Sequence, residues 1–123
     1  MSIKLRLWND EDNRMELVVE MKKTQAGWIC ISDYEGEDSE WNCVQPVMQF
    51  TGLKDKNGVD IYVGDIVRHE KGYVWTVIFD DDESRFALKC KTPLIRPLFK
   101  DRAFNLEVID NIYQNPELIE NNN

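Results

Sequence analysis

Apolar and polar residues alternate with a period of two along much of this chain, the pattern of extended strands with one buried face. Ile3-Lys4-Leu5-Arg6-Leu7-Trp8 is the first such run. Asn9–Asn13 reads as a polar turn, and Met15–Met21 resumes the extended pattern. Gly27 precedes a further β-like piece, Trp28–Ile31. Residues 33–40 are acidic and polar, with Gly36 inside, and read as a mobile loop. Trp41 and Val44 then lead to Pro46, which opposes helix and suits a strand edge.

Turn signals punctuate the second half. Met48–Thr51 is a short strand candidate, and Asp55-Lys56-Asn57-Gly58 is a turn, because Asn and Gly tolerate the positive φ of tight hairpins. Ile61-Tyr62 pairs back, Gly64-Asp65 turns again, and Ile66–Arg68 leaves as a new strand. Tyr73–Phe79 is the clearest strand, with Trp75, Val77 and Phe79 on one face and Val74, Thr76 and Ile78 on the other. Both faces are largely apolar, which places it centrally. Asp80–Ser84 turns the chain into Arg85–Cys90, where Phe86, Leu88 and Cys90 are expected inward and Arg85 and Lys89 outward. Pro93 and Pro97 bracket an irregular stretch, and Leu106–Ile112 is the last strand candidate. Asn115-Pro116 looks like an N-cap and first-turn proline, so a short C-terminal helical turn is expected. Long helical periodicity is missing. The pattern predicts one mainly β domain over residues 1–123, a mostly antiparallel sheet or small barrel with additional hairpins.

Composition narrows the class. The chain has 123 residues, 42% hydrophobic and 31% charged, which suits a single soluble globular domain. No apolar run approaches the ~20 residues needed to cross a bilayer as a helix, and charges interrupt the N-terminal apolar steps, unlike a signal peptide. Cys30, Cys43 and Cys90 are three and widely spaced, which favours reduced, buried thiols in a cytoplasm. Net charge is −8, which disfavours nonspecific nucleic-acid binding by the molecule as a whole. The charge is segregated, however. Residues 24–53 hold Asp33, Glu35, Glu37, Asp38 and Glu40 and no base. Residues 85–102 hold Arg85, Lys89, Lys91, Arg96, Lys100 and Arg102 and the single acid Asp101.

Candidate chemistry is sparse. His69 is the only histidine, so a site needing two from one chain is excluded. A Cys–His or Ser–His pair would need His69 beside a thiol or hydroxyl; the plain reading is a surface histidine at a strand end. Asp80-Asp81-Asp82-Glu83 could offer oxygens to Ca²⁺ or Mg²⁺. Without EF-hand spacing, the plain reading is a solvated hairpin tip. Asn57-Gly58 and Gly64-Asp65 match no phosphate-loop pattern and serve backbone geometry. Trp8, Trp28, Trp41 and Trp75 could stack nucleobases, but core packing is the expected role, with Trp41 beside the acidic loop as a protein-contact anchor. No catalytic residue, cofactor or metal is expected.

Three segments carry a family resemblance. Ile3–Trp8 through Met15 resembles a basic-apolar opening strand that ends at Trp before an acidic turn. Gln49-Phe50-Thr51-Gly52-Leu53-Lys54-Asp55-Lys56-Asn57-Gly58, continued by Asp60–Val67, is similar to the family's most recognisable signature. Glu107–Leu118 resembles its closing motif, with Asp110 where a glycine is more usual. The family is YopX, small proteins of phages and prophages. The resemblance implies a mainly β fold with an SH3-like barrel, expression in the cytoplasm of a bacterial host, and no catalytic residues.

The resulting expectation is a non-enzymatic accessory protein that works by binding a protein partner or another copy of itself. Its contact residues would be Arg85, Lys89, Lys91, Arg96, Lys100 and Arg102 on one side. Asp33, Glu35, Glu37, Asp38, Glu40 and Trp41 would form the other. Complementary patches of this kind steer association and can build oligomers. The alternatives are nucleic-acid binding by the basic 85–102 segment, and an acidic DNA mimic that regulates a host protein.

Overall fold

The structure is a computed structural model that describes residues 4–32, 39–42, 47–92 and 94–118, with only the backbone described at 39–42. The acidic residues Asp33, Glu35, Glu37 and Asp38 lie outside the described residues, as do the side chains of Glu40 and Trp41. The chain divides into two compact units, residues 1–49 and 50–123.

The first unit is an antiparallel meander. Its strands are β1 (Leu5–Asn9), β2 (Arg14–Thr24), β3 (Gly27–Ser32), β4 (Ser39–Asn42) and the start of β5 (Val47–Lys54). They lie in the order β4-β3-β2-β1-β5. The first hairpin turns because the Asn9 side-chain oxygen accepts the Glu11 and Asp12 amides at 3.1 and 3.2 Å, and Asn13 takes a positive φ of 51°. Glu16 is buried inside the sheet but fully engaged. It receives Ser32 Oγ at 2.5 Å, Asn9 Nδ2 at 2.8 Å and Arg14 Nε at 2.9 Å. Burial pushes its carboxyl pKa up; the hydrogen bonds from Ser32, Asn9 and Arg14, with the Arg14 charge, outweigh that and hold it below the ordinary value.

The second unit holds the signature segment. The rest of β5 pairs with β6 (Asp60–Tyr62) across an irregular register in which Gly52 takes φ +84°. The turn between them is pinned by Asp55, only 2% exposed. Its Oδ1 accepts the Asn57 and Val59 amides at 2.8 and 2.9 Å, and its Oδ2 accepts the Val108 amide at 2.9 Å. Gly64, at φ +95°, ends β6 and passes the chain to β7 (Asp65–His69). Then come β8 (Val74–Asp80), β9 (Arg85–Lys89), β10 (Ile95–Pro97), the four-residue helix α1 (Lys100–Ala103) and β11 (Leu106–Asn111). The sheet order β10-β9-β8-β7-β11 puts β8 in the centre, as its two apolar faces predict. The mainly β class is what forms. The sheet is open, however, with β10 and β11 at its edges, so pairing among the described residues does not close a barrel.

One face of this sheet carries the core. Val67, Val77, Leu88 and Leu106 pack with Ile61, Leu98 and Ala103, and Trp75, Phe86 and Val108 border them. The stretch between Pro93 and Pro97, expected to be irregular, supplies the edge strand β10. Asp110 lies in β11 just past a register shift. Its Oδ1 accepts the Asn111 amide at 2.8 Å. The chain is helical at residues 117–118, where a C-terminal helical turn was expected.

Candidate functional site

The β7–β8 turn sets one wall of a cleft in the second unit. The His69 amide donates to the Tyr73 carbonyl at 2.8 Å, and Gly72 at φ +93° lets its own amide reach the His69 carbonyl at 2.7 Å. This tight turn leaves His69, Lys71 and Tyr73 at the end of the sheet. Strand alternation sends Trp75 to the same face as the core residue Val77. Leu88 lies directly across from Val77, and Arg96 directly across from Leu88.

The opposite wall comes from the segment after β10. Leu98 enters the core and its amide donates to the Phe86 carbonyl at 3.1 Å. Ala103 is buried one turn later, which fixes α1 over the sheet. Phe99 between them is left 46% exposed. The Arg102 guanidinium lies 4.8 Å from the centroid of the Phe99 ring, and its Nη1 donates to the Pro97 carbonyl at 2.7 Å. Between the walls is an open cleft of about 650 Å³. Tyr73, Trp75 and Phe99 supply rings, Lys71, Arg96 and Arg102 supply positive charge, and Asp101 is the single acid. His69 Nδ1 accepts the Lys71 amide at 3.2 Å, so its ring proton resides on Nε2 when neutral.

The six predicted basic residues do not converge. Arg96 and Arg102 line the cleft, while Lys100 sits exposed on α1 outside its lining. Lys89, one position past Leu88, projects from the other face of the sheet. There it lines a second hollow of about 440 Å³ with Lys91, Cys90, Thr76, Ile78, Ile112 and Pro116. Arg85 is exposed across from Asp80, at the far end of β8 and β9. Cys90, expected inward beside Leu88, belongs to this second hollow instead because β9 ends at Lys89. Its thiol lies 3.0 Å from Thr92 Oγ1. Burial pushes its pKa up, and hydrogen bonding with Thr92 and nearby backbone brings the net value down.

The tryptophans also divide. Trp8 is buried, as expected, whereas Trp75 is half-buried and opens on the cleft. Trp28 is 52% exposed on β3, so core packing does not hold for it. The acids Asp81, Asp82 and Glu83 are all exposed in the β8–β9 turn. Sequence reasoning did not find Lys71, Tyr73 and Phe99 as site residues. The available signal was that Lys71 and Tyr73 flank the turn glycine Gly72, and that Phe99 lies midway between Arg96 and Arg102, three positions from each.

These features define a small antiparallel β protein with an aromatic and basic cleft in its second unit. The chain belongs to the family described as YopX protein, whose sequence model matches residues 4–120. It is similar to a solved structure, the crystal structure of protein EF1440 from Enterococcus faecalis. That match has 25% identity and a TM-score of 0.66, and covers 97% of this chain and 99% of that one. No curated protein matches the chain. Among the described residues, no helix is long and apolar enough to cross a membrane.

Proposed function

We propose that this protein is a non-catalytic binding module, in the phage accessory role that the family resemblance implies, and that the cleft is its working surface. The observation that carries this reading is the exposed ring of Tyr73, 62% accessible, in a concavity shared with Lys71, Arg96 and the Arg102–Phe99 stack. Leaving large rings in water forgoes the burial free energy they would gain in a core, and such rings in a concave site suit a ligand with flat apolar groups. Three cations against one carboxylate select a ligand that is anionic.

Titration of the isotope-labelled full chain with inorganic tripolyphosphate, followed by backbone amide shifts, tests the charge half of this reading. Shifts are expected to cluster at Lys71, Arg96 and Arg102. Shifts confined to the Lys89–Lys91 hollow, or none at millimolar ligand, would reject the cleft as the working surface.

A further inference from the structure

We infer that the cleft takes single-stranded nucleic acid, with bases stacked on Tyr73 and Phe99 and phosphates neutralised by Lys71, Arg96 and Arg102. This rests on the cleft being the working surface and adds the class of ligand. Single strands offer what the cleft asks for in one repeating unit, a flat face beside a negative charge. Arg102 stands over one face of the Phe99 ring at 4.8 Å. The ring is still 46% exposed, which leaves surface for a base on its other face, so that guanidinium, ring and base form one stack. Lys71 and Arg96 are exposed and make no ion pair among the described residues, so both can meet phosphate without first breaking a bridge. An acidic peptide would satisfy the cations but carries no regular series of flat faces. A duplex presents phosphates but hides its base faces in the stack.

The net charge of −8 acts against any polyanion at a distance. At physiological ionic strength that field decays over about 8 Å, so at contact the cleft's own cations dominate. The cost falls on encounter rate, and a modest affinity that falls with salt follows from it.

The test is fluorescence anisotropy of labelled oligothymidylate and oligouridylate of about 10 nucleotides, titrated with the full chain at low salt. Three phosphate contacts give a log–log salt slope of about −2, so affinity falls about 20-fold for a fourfold rise in salt. Tyr73→Ala and Phe99→Ala should each weaken binding about tenfold. Arg96→Gln should weaken it and flatten the slope by about 0.7. Lys54→Gln, outside the cleft, should change nothing, and a blunt duplex of equal length should bind more weakly. Circular dichroism confirms that each variant is folded, and both aromatic sites are exposed enough to tolerate truncation. The inference is overturned if neither strand binds at low salt, if the aromatic variants bind as the parent does, or if the duplex binds as well. Should tripolyphosphate still map to the cleft in that case, the anionic cleft stands and only the ligand class falls. An acidic peptide that binds the cleft where the oligonucleotides do not overturns the ligand class in the same way.

Discussion

Replacing Asp55 by Ala removes three backbone hydrogen bonds at once. Two of them, from Asn57 and Val59, close the β5–β6 turn; the third comes from Val108 in β11, 53 positions away. A hydrogen bond to a charged group contributes about 1.5–3 kcal/mol. Asn57 and Val59 are exposed, so their amides regain water after truncation and lose little. The Val108 amide is at the register shift of β11 and loses its acceptor. These terms set Asp55→Ala at about 3 kcal/mol. An unfolding entropy of about 2.1 cal/mol/K per residue over the chain converts this to a Tm lower by about 10 °C. Asp55→Asn separates the two roles. Its oxygen can serve the turn, but its amide then faces the Val108 N–H, donor against donor, and the cost is about 2 kcal/mol. Urea unfolding followed by circular dichroism, with the m-value held as a check on two-state behaviour, measures both. A cost below about 0.5 kcal/mol for Ala, the range of an ordinary surface change, would refute the idea that this carboxylate ties the turn to β11.

Other consequences are simpler to state. Gly64→Ala places a Cβ at φ +95° and should cost about 1–2 kcal/mol, read by thermal unfolding. Glu16 has a carboxyl pKa lowered in the folded state, so its contribution is present above the ordinary carboxylate value and is lost as pH falls through the folded one. Stability measured against pH should therefore drop below about pH 4.5 more steeply for the parent than for Glu16→Gln; parallel curves would contradict this. Lys54 pairs with Asp60 at 2.7 Å on the surface, and Lys54→Ala should cost no more than about 0.5 kcal/mol by urea titration. Self-association through opposite charges requires the apparent mass in gel filtration to fall as salt rises, and a monomer at both extremes would remove it.

Local pattern made most strands legible. The two apolar faces of Tyr73–Phe79 placed β8 in the centre, and Gly58 and Gly64 mark corners because both occupy positive φ. The motif from Gln49 to Val67 pointed to the family. What the pattern could not show is pairing between distant segments. β10 was hidden because Ile95, Arg96 and Pro97 are too few to show a period, and only β9 makes them a strand. The basic segment looked like one patch because linear spacing ignores alternation. Leu88 and Lys89 are neighbours in sequence and occupy opposite faces of the sheet, which separates Lys89 and Lys91 from Arg96 and Arg102. Asp55 looked like an ordinary turn residue because its partner Val108 is remote. Phe99 drew no notice in the pattern; it is exposed because Leu98 and Ala103 already occupy the core on either side.

Photo-cross-linking of the full chain to oligouridylate carrying 4-thiouridine, with the adducts located by mass spectrometry, shows where the strand lies. A strand held in the cleft gives adducts at Tyr73, Trp75 and Phe99, lost in the presence of excess tripolyphosphate. Trp28, 52% exposed in the first unit, is the built-in competitor. Adducts concentrated there, or spread without preference over exposed rings, would contradict the claim that the cleft of the second unit is where this protein binds.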